Sequence, residues 1–344
     1  MPEKDTTQRP QTGPADDAVA RTSRHAFGAR RKERIDDLAA TAGRVDEAGA
    51  VDEGPGVSLI ASAWRRLRRD RVFLVGLAIT IVFVLVAVFA QWLAPHDPIK
   101  AYLIDKVRRQ SNPVPGPEPG FPLGADDRGR DLLSRLIVGS QQTLIVAVFV
   151  TIISVIGGLV LGTLAGAVGG WVDSTVMRAV DVMLSMPSLL LAFSIAVLAS
   201  KPSQWTVIIA IAVTYIPVFA RLLRGTMLAQ RHSDHVLAAR ALGVKRGAIV
   251  FRHMLPNALG PVIVQATLVL ATAVIDAAAL SFLGMGNPDQ RQPEWGQMLG
   301  VAQEYLSSYP HLAFYPAACI IIVAFGFTLM GESLREALDP KTRR

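Results

Sequence analysis

Three ionisable residues lie inside otherwise uncharged, apolar stretches of this 344-residue chain: Arg178, Asp181 and Asp276. A charged side chain at the centre of a bilayer costs about 2.5 to 3.5 kcal/mol on insertion scales, so such residues usually pair, contact a solute or lie near an interface. Arg178 and Asp181 are three positions apart, and we predict that they pair on one helix face, with contact to a solute as the alternative. For Asp276 two roles stay open, a bond to a neighbouring helix or contact with the amino group of a passing solute.

The composition indicates which elements must position these residues. The chain is 51% hydrophobic and 18% charged, with a mean hydropathy of +0.36, which is too apolar for one soluble domain of this size. A lone cysteine, Cys319, excludes a disulfide framework. We predict an all-α integral membrane protein with six transmembrane helices. The predicted spans are Val72–Ala94, Thr143–Val168, Thr175–Ser200, Trp205–Ala220, Ala258–Leu283 and Leu312–Met330.

The charges between the spans predict the orientation. The segment Arg221–Asn257 holds seven basic residues and one acid, whereas Gly284–His311 holds one basic residue and three acids. Basic residues collect in cytoplasmic loops, so the first segment is predicted to be cytoplasmic and the second extracytoplasmic. With six spans, both termini are then cytoplasmic.

The rest of the chain divides by composition. Residues 1–56 are polar and mixed in charge, which predicts a disordered cytoplasmic tail. Residues 57–71 alternate apolar residues with arginines and are predicted to form an amphipathic helix at the inner interface. Residues 95–142 form a proline-rich extracytoplasmic loop in which Asp131–Gly139 regains a helical pattern and leads into the second span. Residues 143–344 form the core, with a cytoplasmic loop at 221–257.

Two patterns of glycine and proline have structural meaning. Glycine recurs every fourth residue in and after the second span, at Gly158, Gly162, Gly166 and Gly170, which favours close approach of another helix. In the cytoplasmic loop, Ser233 is expected to cap a short helix over Asp234–Leu242 that ends at a left-handed Gly243. A second turn follows, and Pro256 is expected to restart a helix.

This loop carries a resemblance to a known family. Its sequence over Asp234–Asn257, DHVLAARALGVKRGAIVFRHMLPN, resembles the coupling-loop motif of type I ABC-importer permeases, in the ARALG…RHxLPN form of the dipeptide/oligopeptide/nickel group. Leu237 stands where other importer families carry Glu. A charged contact from this position to the ATPase is therefore not expected here. Further similar stretches at Phe121–Leu144, Gly169–Ala192, Ala279–Gly286 and Leu334–Pro340 indicate the second, C-type subunit of a permease pair.

The resemblance implies a type I permease fold, a function in ATP-driven peptide import, and a set of partners. These are a homologous second permease, two cytoplasmic ABC ATPase chains or domains, an extracytoplasmic peptide-binding lipoprotein and membrane lipid, in a bacterial plasma (inner) membrane and without nucleic acid. It also implies a coupling helix that contacts the ATPase, with the residues Asp234, Ala238, Ala239, Arg240, Gly243, Arg252 and Pro256.

The chain is expected to have no enzyme activity and to bind no cofactor or metal, with ATP and magnesium held by the partners. The sequence contains no G-x-x-x-x-G-K-[ST] phosphate loop, which agrees with this division of labour. An ion-coupled secondary transporter or a channel remains the alternative, and an intramembrane hydrolase is weaker. Within the importer interpretation, nickel or glutathione is the alternative solute.

Overall fold

The computed structural model describes residues 64–108, 111–199, 202–289 and 291–338, and in these ranges the chain is helical with no β-strand. The tail predicted at 1–56 and the first half of the helix predicted at 57–71 lie outside the described residues; 64–67 are helical. The α-helices in the described ranges are α1 (Arg71–Val88), α2 (Ala90–Leu93), α3 (Leu132–Val168), α4 (Gly170–Leu184), α5 (Ser188–Leu198), α6 (Gln204–Gln230), α7 (Asp234–Ala241), α8 (Arg246–Ala248), α9 (Leu255–Phe282), α10 (Trp295–Ala302) and α11 (His311–Leu338).

Five helical segments are long and apolar enough to cross a membrane: α1, α3, α6, the continuous run from α8 through α9, and α11. The pair α4 and α5 makes a sixth crossing if it is counted as one span. The fold is therefore an all-helical membrane fold, as predicted. The third predicted span is bent at the break that contains Pro187, where α4 and α5 meet at an angle of 94°.

Local capping explains where two of the spans begin. The Asp70 carboxylate accepts a hydrogen bond from the Val72 N–H at 2.9 Å at the start of α1. Likewise Asp131 accepts from the Ser134 N–H at 3.1 Å and caps α3. As a result the helical pattern predicted at Asp131–Gly139 and the span predicted from Thr143 form one helix of 37 residues.

The outer loop is fastened to the first turn of α3. The Ser134 hydroxyl accepts from the His96 N–H at 3.0 Å, and Arg135 donates to the Pro98 carbonyl at 3.1 Å. Asp126 pairs with Arg130, and both residues are buried. Arg135 is fixed at the same place, since its guanidinium lies 3.3 Å from the Asp126 carboxylate. These contacts give a proline-rich segment a defined conformation without regular secondary structure.

Two apolar clusters fill the helix bundle. The outer cluster surrounds Trp295 of α10, whose indole N–H donates to the Leu136 carbonyl at 2.9 Å and whose ring contacts Phe83 edge-on at 5.1 Å. The inner cluster joins the C-terminal half of α6 to α7 and the start of α9. Its buried members are Phe219, Leu223, Met227, Val236, Ala239, Ile249, Met254, Ala258, Val262 and Val269.

Candidate coupling element and pathway residues

The helix α7 lies against its own chain through two residues. Val236 and Ala239 are three positions apart, so they share one helix face, and both are buried in the inner cluster. Ala239 is only 6% exposed, so it offers little surface to the predicted ATPase contact. It seats the helix instead, because its small side chain lets α7 approach the cluster closely.

The rest of α7 and the following turn are open to a partner. Leu242 is 83% exposed and Phe251 is 66% exposed, and Leu237 is also exposed. Single exposed apolar residues are ordinary, but three on one short segment that is predicted to be cytoplasmic favour a protein contact. The predicted coupling residues Asp234, Ala238, Arg240, Arg252 and Pro256 are exposed as well. We call this exposed set, with Leu237, Leu242 and Phe251, the coupling surface.

Gly243 ends α7 in the predicted left-handed conformation, with φ +74°. Its N–H donates to the Arg240 carbonyl at 3.0 Å, and the next N–H, of Val244, donates to the Ala239 carbonyl at 3.1 Å. A Cβ added at Gly243 would meet nothing within 4 Å. The glycine is therefore needed for its backbone conformation and not for space.

Pro256 lies in the first turn of α9, which begins at Leu255, as predicted. The helix does not restart after a break, however, because residues Arg246–Phe282 form one continuous helical run. A π-helical turn over Ile249–Met254 precedes Pro256. Such a turn changes the hydrogen-bond spacing and so accommodates a proline, which has no N–H to donate. The π-helical turn and the fifth predicted span thus belong to one continuous helical run.

The side chain of Asn257 connects the start of α9 to α7. Asn257 donates to the His253 carbonyl at 2.8 Å, and its side-chain nitrogen lies 3.2 Å from Nε2 of His235 on α7. The sequence gave no reason to single out Asn257 beyond its place in the LPN motif. Ser233 occupies the N-cap position of α7, but its hydroxyl donates to the Gln230 carbonyl at 2.6 Å instead of capping the helix.

The predicted pair Arg178–Asp181 is wrong, because Asp181 pairs with Arg221 on α6. A second ion pair joins the same two helices: Arg224 binds both carboxylate oxygens of Asp173 on α4, at 2.5 and 2.7 Å. The spacing of Arg178 and Asp181 along one helix suggested that they pair, but the packing of α4 on α6 brings Arg221 to Asp181. These two pairs hold α4 to the part of α6 that leads into α7.

Asp276 takes the first of its two predicted roles. Its carboxylate accepts a hydrogen bond from the Tyr215 hydroxyl on α6 at 2.7 Å, and both residues are partly buried. The bond joins α9 to α6 near the C-terminal end of α9. One carboxylate oxygen remains for a further donor, so a contact with a solute stays a prediction.

The glycine repeat packs within this chain and not against a partner. A Cβ at Gly158 would overlap the Cβ of Phe219, and one at Gly162 would lie 2.8 Å from the Ala220 carbonyl oxygen. A Cβ at Gly166 would lie 3.1 Å from the Cβ of Met227. All three contacts are to α6. Gly170 does not belong to this set, because nothing lies within 4 Å of it and its φ is +59°.

A cleft of about 370 Å³ lies on the predicted outer side, between the loop before α3, the end of α9 and α10. It is lined by Asp127, Gln297 and Glu304 among others. Burial, and after it the neighbouring Asp126, raises the pKa of Asp127 above its usual range. Beside the cleft, burial raises the pKa of Glu294, which accepts from the Ser281 hydroxyl at 2.5 Å. In the described ranges no three His, Cys, Asp or Glu side chains are grouped to hold a metal.

Five apolar helices, or six with the bent pair, make this chain a multi-pass membrane protein. Residues 158–344, more than half of the sequence, match the family described as the binding-protein-dependent transport system inner membrane component, and the chain belongs to this family. Residues 58–112 match the N-terminal transmembrane domain of oligopeptide transport permease C. The predicted resemblance to a C-type ABC-importer permease is confirmed.

Curated relatives cover most of the chain. The dipeptide transport system permease protein DppC of Alkalihalophilus pseudofirmus is 38% identical over 85% of this chain and 93% of that protein. The di/tripeptide transport system permease protein DppC of Pseudomonas aeruginosa is 38% identical over 81% and 91%. The glutathione transport system permease protein GsiD of Salmonella typhi is 40% identical over 81% and 90%. The chain is therefore an ABC-importer permease, and this family implies a partner permease and ATPase subunits.

Proposed function

We propose that this permease carries short peptides inward as one half of a translocation pathway, and that α7 couples the pathway to a separate ATPase. The observation that carries the coupling role is the seating of α7. Val236 and Ala239 bury one face of α7 in the inner cluster, while Leu237 and Leu242 remain exposed. Because one face of α7 packs on the bundle and the other is exposed, a force applied to the exposed face would be transmitted into the bundle.

The helical run from Arg246 to Phe282 supplies the transmission. ATP-driven closure of two ATPase chains would displace α7, and the Asn257 contacts to His235 and His253 would pass that displacement to the start of α9. Because α9 is one continuous helix and is bonded to α6 through Asp276 and Tyr215, a movement at its cytoplasmic end would reach the outer half of the bundle. The coupling surface, including Asp234, Arg240 and Arg252, is the proposed contact to the ATPase.

The partner set follows from this role. We propose that the chain has no catalytic activity and binds no cofactor, and that ATP and magnesium are held by two ATPase chains or domains. A homologous permease completes the pathway, and an extracytoplasmic binding lipoprotein delivers the solute. In this arrangement both termini and the coupling surface are cytoplasmic, and the surrounding lipid belongs to a bacterial plasma (inner) membrane.

Peptide as solute is supported by the printed names of the dipeptide and di/tripeptide relatives. Glutathione relatives are just as similar in sequence, so identity alone does not separate the two solutes. The test is uptake of a labelled dipeptide by vesicles that contain the whole complex, with and without ATP on the ATPase side. Uptake driven by ATP supports the proposal, whereas uptake driven by an ion gradient alone would contradict it. Competition with glutathione and with a nickel chelate then identifies the preferred solute.

A further inference from the structure

A group of arginines precedes the first membrane helix. Five arginines occur within the seven positions that lead into α1, all five are exposed, and we call them the arginine cluster: Arg65, Arg66, Arg68, Arg69 and Arg71. In the part of the chain that the structure describes, none of the five pairs with an acid. Asp70, the acid in their midst, instead caps α1 through the Val72 N–H.

The electrostatics of α1 do not explain so much positive charge. The N-terminus of a helix is the positive end of its dipole and favours acidic residues. Yet the first turn of α1 contains no acid, and Arg71 occupies its first position. The arginines repel one another and are repelled by the helix end. An anion from outside the described chain would remove this cost.

The backbone holds the cluster at the base of α1. Residues 64–67 are helical, the Arg69 N–H donates to the Arg66 carbonyl at 2.9 Å, and the Asp70 N–H donates to the Leu67 carbonyl at 3.2 Å. Leu67 is only 5% exposed, so it packs against the protein while the arginines around it stay open. The cluster is therefore an ordered part of the fold.

The length of α1 places the cluster at the depth of lipid headgroups. α1 has 18 residues and is therefore about 27 Å long, close to a hydrocarbon core of about 30 Å. Exposed apolar residues begin directly after Arg71, at Val72. Tryptophan, which favours membrane interfaces, is exposed near both ends of the span, at Trp64 and Trp92. The arginines thus lie beside the phosphates of the leaflet that is predicted to be cytoplasmic.

The chemistry of the cluster matches an anionic headgroup. A guanidinium binds a phosphate through two N–H donors, and the Arg68 guanidinium lies over the Trp64 ring at 5.1 Å, where the indole limits its movement. A zwitterionic lipid balances its phosphate with an ammonium group, whereas an anionic lipid carries net negative charge. One arginine near an anionic membrane surface strengthens association by about fivefold.

We propose that the arginine cluster binds the headgroups of anionic phospholipids, and that these lipids stabilise the subunit at the base of α1. The depth of the cluster favours lipid over an acidic protein surface, which would have to enter the headgroup layer. The proposal requires only that α1 spans the membrane, so it does not depend on the transport function proposed above.

The experiment measures thermal unfolding of the purified complex in an uncharged detergent, titrated with phosphatidylglycerol or with phosphatidylcholine. The test variant combines Arg66→Gln and Arg69→Gln, which removes two exposed charges and leaves the contact of Arg68 with Trp64. The matched control combines Arg108→Gln and Arg291→Gln, two exposed arginines on the side predicted to be outer. A further titration uses inorganic phosphate.

We expect phosphatidylglycerol, and not phosphatidylcholine, to raise the Tm of the parent complex. The test variant should need at least about fivefold more phosphatidylglycerol to reach half of this rise, while the control should stay within about twofold of the parent. Equal midpoints for the test variant and the parent would overturn the proposal, and so would an equal shift in the control.

Two further outcomes would assign the cluster to another occupant. Stabilisation by inorganic phosphate at the same concentration would overturn the proposal, because the occupant would then be a free anion. Loss of the ATPase from the test variant at an unchanged lipid midpoint would also overturn it, because the cluster would then be a protein contact.

Discussion

Four glycine-to-alanine substitutions on α3 and α6 should change the stability of the subunit according to the space available for the new methyl group at each position. Glycine to alanine in a helix is favourable by about 0.5 to 1 kcal/mol when nothing obstructs the new methyl group. Gly225 on α6 meets this condition, since a Cβ there has no neighbour within 4 Å. Gly225→Ala should therefore raise the unfolding free energy by about that amount.

The α3 glycines should behave in the opposite way. At Gly162 the new Cβ would lie 2.8 Å from the Ala220 oxygen and 2.9 Å from the Leu223 Cβ. Backbone and Cβ atoms cannot rotate away, so the helices must separate, at a cost of about 1 to 3 kcal/mol for overpacking. After the helix gain is subtracted, Gly162→Ala should lose about 1 to 2 kcal/mol. Gly158→Ala should lose more, and Gly166→Ala should be close to neutral.

Reversible unfolding of the purified subunit in mixed micelles measures these values. The reasoning is refuted if Gly162→Ala is as stable as Gly225→Ala. Gly162→Leu should be more severe and should reduce the stability of the isolated subunit, not only its assembly, because the contacted helix α6 belongs to the same chain. Loss of assembly with unchanged subunit stability would instead place this face at the partner permease.

Three further predictions concern the orientation, the coupling role of Gly243 and the ion pair between Asp173 and Arg224. In a background without the native cysteine, Lys245→Cys should react with impermeant thiol reagents only after the membrane is opened, and Gln292→Cys should react in intact cells; the reverse pattern would overturn the predicted topology. Gly243→Val should reduce transport per assembled complex at least tenfold, because φ is +74° there, whereas Gly243→Asn, which tolerates this conformation, should lose much less; equal transport by both variants would remove the backbone conformation from the coupling role. Asp173→Arg and Arg224→Asp should each destabilise the subunit by about 1 to 2 kcal/mol, and the double variant should recover most of that loss; no recovery would mean that the pair contributes little.

The sequence predicted the elements whose signals are local. Apolar length and the absence of charge located the membrane helices, because a charged residue in hydrocarbon is costly wherever it occurs. The end of α7 at Gly243 was also predictable, since a left-handed residue after a short helix selects glycine by its own backbone energy. The start of α3 followed from the helix pattern that begins at Asp131.

Contacts between distant residues depended on the tertiary structure. Asp181 was assigned to Arg178 because they are three positions apart, yet packing of α4 on α6 gives it Arg221. Ala239 was predicted to contact the ATPase, but in the structure it is buried in the inner cluster. Composition also does not give the angle of a bend, so the 94° between α4 and α5 came only from the structure. Hydrophobicity determines which segments enter the membrane, while the angles and partners of those segments are set by side-chain packing between helices that are far apart in the sequence.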